Sequence, residues 1–195
     1  MYPEKITKDE VNELPLIKYE GPIALIDKEE DYKKALSELR KATVIGFDTE
    51  TRPAFKKGQS FDVALIQLAI PGIVFLIRLN LLGLRDGLIG IFENPDIRKV
   101  GISIRDDIID LQKMNSFTPQ NVFEINDATA NIGIVNQGVR NLSGIILESR
   151  ISKSQQTSNW ENPTLHPKQQ VYAATDAWVC LEIYEKLLRQ GFIED

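Results

Sequence analysis

Two apolar runs, Val63-Ala64-Leu65-Ile66-Gln67-Leu68-Ala69-Ile70 and residues 73–79, are separated only by the turn dipeptide Pro71-Gly72. A connection this short joins antiparallel neighbours, because a parallel crossover needs a dozen or more residues. The runs are apolar at nearly every position instead of alternating. The two runs are therefore expected to pair as an antiparallel hairpin.

The rest of the pattern supplies helices and further strands. Residues 23–26 read as a short strand. Asp27 is expected to cap the next helix, with Glu30 as its capping-box partner, and Tyr32, Ala35, Leu36 and Leu39 mark that helix at a 3.6-residue period. Residues 44–50 read as a strand. After the hairpin the chain alternates: helix 81–92, strand 99–104, helix 106–114, strand 121–125, a weaker helix 126–135, a helical stretch 142–147, and a long helix 167–190 that opens on Pro167. The expected fold is α/β, a mixed sheet of antiparallel hairpin strands followed by parallel strands, flanked by helices. Residues 1–20, charged and proline-interrupted, are expected to form an N-terminal arm, and residues 21–195 a single domain.

Composition narrows the chemistry. One cysteine, Cys180, and one histidine, His166, exclude a disulfide framework, a multi-cysteine zinc site and His-rich metal clusters. No apolar stretch is long enough to span a bilayer and no secretory leader is visible, so a cytoplasmic protein without membrane contact is expected. The net charge of −5 speaks against a basic coat, though not against a local basic strip. Any hydrolytic metal site must be built mainly from carboxylates.

Three segments carry carboxylates where the pattern calls for apolar side chains. In Phe47-Asp48-Thr49-Glu50, strand alternation places Asp48 and Glu50 on one face; a solvated strand end is the plain alternative. Asp106 and Asp107 follow a strand. Asp106 reads as a helix-start residue, whereas Asp107, four residues before Leu111, lies on the inward side of its helix. Between Val171 and Leu181 only Tyr172, Thr175 and Asp176 are polar. A carboxylate in so apolar a helix costs several kcal/mol unless it is paired or binds metal. Tyr172 lies one turn before Asp176, on the same face. Acids clustered from three segments repel unless cations neutralise them, and oxygen-only ligands suit Mg²⁺ or Mn²⁺.

These residues resemble a known family. Phe47-Asp48-Thr49-Glu50, then Val100-Gly101 with Asp107, then Tyr172-Ala173-Ala174-Thr175-Asp176 are similar to the three exonuclease motifs of the DEDD superfamily. The tyrosine, with Val171 where the histidine branch carries its base, resembles the DEDDy branch. The likeness is strongest to Werner-syndrome-type and ribonuclease D-type 3′–5′ exonuclease domains, and extends to residues 63–68 and to Ser158-Asn159-Trp160, Leu165 and Gln169. It implies a ribonuclease H-like fold and two divalent cations, Mg²⁺ or Mn²⁺, held by Asp48, Glu50, Asp107 and Asp176. It also implies that Tyr172 orients the attacking water and that nucleoside monophosphates leave the 3′ end of DNA or RNA. Ile109 stands where Werner-type members carry an aromatic residue. No helicase or helical nucleic-acid-binding domain lies within these residues, so the resemblance implies that the core, or a helicase or other nucleic-acid-binding partner, grips the substrate. Arg52, Lys56 and Lys57 are candidates for phosphate contacts, Phe55 for stacking a base or packing on the core, and Trp160 for a core or loop anchor or a substrate contact. A catalytically silent nucleic-acid-binding or adaptor domain of the same fold is the competing expectation, and an endonuclease of the ribonuclease H-like class a third.

Overall fold

The computed structural model describes residues 1–56 and 58–194. The strands are β1 (Ile23–Ile26), β2 (Val44–Thr51), β3 (Val63–Ile70), β4 (Ile73–Arg78), β5 (Arg98–Gly101) and β6 (Val122–Glu124). The helices are α1 (Lys8–Glu13), α2 (Glu29–Leu39), α3 (Leu79–Leu82), α4 (Asp86–Phe92), α5 (Ile104–Met114), α6 (Ile125–Asn131), α7 (Val139–Leu147) and α8 (Pro167–Arg189).

The strands form one sheet in the order β1-β4-β3-β2-β5-β6. β3 is antiparallel to both β2 and β4, while β1 runs parallel to β4, β5 to β2 and β6 to β5. This is the mixed, helix-flanked sheet the sequence predicts, with the apolar hairpin at its centre. Alternate side chains of the central strands enter two different cores. Phe47, Ile66 and Leu68 pack with Leu36, Phe92 and Leu111 under α2, α4 and α5. Leu65, Ala69 and Leu76 pack with Ala173, Ala177 and Leu181 of α8 on the other face.

Several local expectations are corrected. The predicted helix 81–92 is two helices, α3 and α4, because Gly83 adopts a left-handed φ of 72°. Asp27 and Glu30 form no capping box: α2 starts after Lys28 with no side-chain cap. The strand expected over 99–104 ends at Gly101, and the weaker helix ends at Asn131.

The N-terminal segment lies against the domain. Thr7 and Glu10 form a capping box for α1, and Val11 is fully buried. The Ile6 N–H donates to Asn136 Oδ1 (2.6 Å), Ile17 N–H to the Arg150 carbonyl (2.9 Å), and Tyr19 N–H to Thr175 Oγ1 (3.0 Å). No helix among the described residues is long and apolar enough to cross a membrane.

Candidate active site

β2 presents Gly46, Asp48 and Glu50 on the face that meets α8. The glycine is what allows the approach: a Cβ there would stand 2.3 Å from the Ala177 carbonyl and 2.9 Å from Leu181 Cβ. With no side chain at position 46, α8 settles onto the strand and carries Asp176 to Asp48. Asp107 comes from the first turn of α5, and the Thr49 hydroxyl donates to its Oδ1.

The start of α5 has a cap that no local pattern reveals. Ser103, its N-cap residue, sits in the left-handed region (φ 63°) and supplies no side-chain cap. The Glu124 carboxylate at the end of β6 accepts from the N–H groups of Ser103 (2.8 Å) and Ile104 (2.9 Å), and also from Asn126 N–H (3.1 Å) at the start of α6. One acid thus caps two helices, including the one that carries Asp107. Asp106 lies in the first turn of α5, where its charge favours the helix dipole. Asp127 pairs with Arg105 on the surface.

The four acids are within electrostatic reach of one another, and the protein suppresses their ionisation. Burial holds the Asp48 carboxyl well above its usual range, and Asp176, Asp107 and Glu50 add to the rise. Burial, then the charges of Asp176 and Asp107, push Glu50 up to about 9. Asp107 is raised to about 6 by burial, against the stabilising Thr49 hydroxyl. Asp176, 4% exposed, is raised to about 7 by burial, with the Tyr172 hydroxyl opposing the shift. Tyr172 is itself held well above its ordinary value by burial and by the three neighbouring acids. It stays a neutral donor near neutral pH.

This donor set fits hard cations. It is made of oxygens, its charges repel, and Asp176 Oδ1 is buried with no hydrogen-bond partner. Among the described residues no three acidic, histidine or cysteine side chains form a preassembled metal cage. Carboxylates that repel one another need a counter-charge to close up.

The other sequence candidates fall differently. Trp160 is fully buried, which fits the core anchor and corrects the substrate contact. Its ring packs beside Tyr172, with centroids 6.1 Å apart. Its indole N–H stands beside Glu50 and offsets part of that carboxyl's rise, short of full hydrogen-bond geometry. Arg52 pairs with Glu161 at 3.2 Å and lies over the Phe61 ring. Phe55 is 82% exposed and Lys56 is exposed, while Lys57 lies outside the described residues. Cys180 is buried, and His166 is exposed and caps α8 by accepting from Lys168 N–H at 3.1 Å. Gly46, Thr49 and Glu124 were not singled out by sequence. Of these, only Gly46 left a local trace, as the one residue without a side chain on the acidic face of the strand.

The profile of the 3′–5′ exonuclease family matches residues 23–191. The exonuclease mut-7 homolog of Aedes aegypti is 29% identical over 88% of this chain and 27% of its own length. The bifunctional 3′–5′ exonuclease/ATP-dependent helicase WRN of Mus musculus is 32% identical over 91% of this chain and 13% of its own length. The chain thus spans about a quarter or less of these two curated relatives. The crystal structure of the Aedes aegypti Nibbler EXO domain superposes with a TM-score of 0.79 and 28% identity, covering 86% of this chain and 88% of that one. By this match across most of its length, the chain belongs to the 3′–5′ exonuclease family.

Proposed function

We propose that the protein is an active DEDDy-type 3′–5′ exonuclease that hydrolyses the terminal phosphodiester bond of DNA or RNA and releases nucleoside monophosphates. The observation that carries this reading is the buried set of mutually repelling acids beside Tyr172. A fold pays heavily for such a set unless cations occupy it.

Asp48, Glu50, Asp107 and Asp176 would hold two divalent cations, Mg²⁺ or Mn²⁺. When bound, such ions polarise a phosphate and stabilise charge on the attacking and leaving oxygens. The chain's own groups do the rest. Tyr172, neutral and directed toward Asp176, orients the incoming water as a hydrogen-bond donor and acceptor; its raised pKa disqualifies it as a base near neutrality. Thr49 holds Asp107 in place, and the buried Trp160 supports both Tyr172 and Glu50.

The test is a 5′-labelled single strand incubated with Mg²⁺ or Mn²⁺. A ladder shortening from the 3′ end is expected, and Asp48→Ala should lose it by at least about 10³-fold, the scale of removing a group that stabilises transition-state charge. No cleavage by the natural chain would instead favour a silent nucleic-acid-binding domain, and internal cuts an endonuclease.

A further inference from the structure

Two cavities of about 530 and 470 Å³ adjoin at Ser152 and Tyr172, which line both. Lys8, Arg140 and Lys153 line the first; Lys18 and Lys168 line the second. Neither has an acidic residue in its lining. Two other cavities mix the signs, with Glu38 and Glu185 beside Lys41 and Arg189 in one and Glu29 and Asp86 beside Lys33 and Arg85 in the other, and a third holds only acids, Asp62 and Glu161. On a chain of net charge −5, with Asp9 and Glu10 following Lys8 on the same segment, the linings of these two adjoining cavities carry five cations and no carboxylate.

These cations are also free to act. None of the four lysines makes an ion pair among the described residues, whereas Lys33, Lys34, Lys41 and Lys113 all do. Arg140 donates to the neutral side-chain amide of Asn12. Lys8 and Lys18 come from the N-terminal segment, and the hydrogen bonds from Ile6, Ile17 and Tyr19 fix where that segment runs.

We propose that the N-terminal segment is part of a nucleic-acid interface. With Arg140, Lys153 and Lys168 it forms a cationic trough that leads the sugar-phosphate backbone of a single strand to Tyr172. The direction of the strand, 3′ end at Tyr172, rests on the exonuclease reading; the trough itself rests on the charge and the cavities.

Binding of a fluorescent 12-nucleotide single strand, followed by anisotropy over a salt series in chelator, tests this. Lys8→Gln/Lys18→Gln should weaken binding about tenfold or more at low salt. It should also reduce the slope of log K against log salt by about 1.4, at roughly 0.7 per single-strand phosphate contact. Lys8→Arg/Lys18→Arg should restore both, which a loss of packing would not allow. Lys33→Gln/Lys34→Gln removes the same charge from α2, across the sheet, and should leave the slope unchanged. The proposal is overturned if the natural chain does not bind, or if the arm pair behaves like the α2 pair. A chain that binds through Lys8 and Lys18 yet never shortens the strand would sink the enzymatic reading and leave the trough standing. A chain that shortens the strand while binding independently of those lysines would do the reverse.

Discussion

Glu124 shows how a candidate site residue depends on a neighbour outside the cluster of acids. Its carboxylate takes three backbone N–H groups at the starts of α5 and α6, and α5 carries Asp107 in its first turn. Glu124→Ala leaves those donors without a partner and should cost about 1–3 kcal/mol in denaturant unfolding. Because Asp107 moves with the helix start, turnover of a 3′ end should fall as well, with Glu124→Gln retaining more of both because it keeps an acceptor. Unchanged stability and turnover in the alanine variant would show that Ser103 caps the helix adequately without it. The four acids and the tyrosine of the candidate site are legible in sequence because each is a polar residue in an apolar pattern. Glu124 is not, since its partners at Ser103 and Ile104 lie about twenty residues away and any acid at a strand end looks like a solvated one. Trp160 reads in sequence as a core or loop anchor, and its burial against α8 agrees with that reading and not with the substrate contact weighed beside it.

Among the elements, the pairing of β2 with α8 determines the site. The sequence disclosed both elements, the hairpin and the parallel strands, because strand and helix periodicities are local. It could not disclose that α8 lies directly on Gly46, a contact between positions more than 130 residues apart. Backbone and a Cβ oppose any side chain there, so neither can yield as the end of a flexible chain would. Gly46→Ala should therefore force α8 away from β2, with a loss of about 1–3 kcal/mol from overpacking. It should also separate Asp176 from Asp48 and reduce exonuclease turnover more than a surface substitution of equal destabilisation. Calorimetry together with turnover on the labelled strand checks this; an alanine variant with natural stability and natural activity would mean that the helix does not need the glycine. The break between α3 and α4 has the same lesson in miniature: Gly83 inside an apolar run reads as a tolerated helix residue until its positive φ is seen.

For the whole molecule, the acids tie stability to pH and to cations. Asp48, Glu50, Asp107 and Asp176 all have folded-state pKa values above those of an unfolded chain, near 4. Between that value and the raised ones, with Asp107 at about 6, Asp176 at about 7 and Glu50 at about 9, the native state holds protons that the unfolded state has released. The free energy of unfolding must then fall as pH rises through this window, the opposite sign from a protein whose acids are salt-bridged. In chelator, Tm should decline between about pH 5 and pH 9. Divalent cations compete with those protons, so Mg²⁺ or Mn²⁺ should raise Tm, and more at pH 8 than at pH 6. At 100 times the dissociation constant one ion contributes about 2.7 kcal/mol, which at about 2–4 °C per kcal/mol for a chain of this size is a shift of 5 °C or more. Asp48→Asn removes one group that the folded, cation-free protein has to keep protonated. It should make the cation-free protein more stable at pH 8 while shrinking the gain from Mg²⁺. If cations leave Tm unchanged at every pH, or if Asp48→Asn destabilises the cation-free protein at pH 8, the acids are stabilised by something other than metal and the hydrolytic reading loses its physical basis.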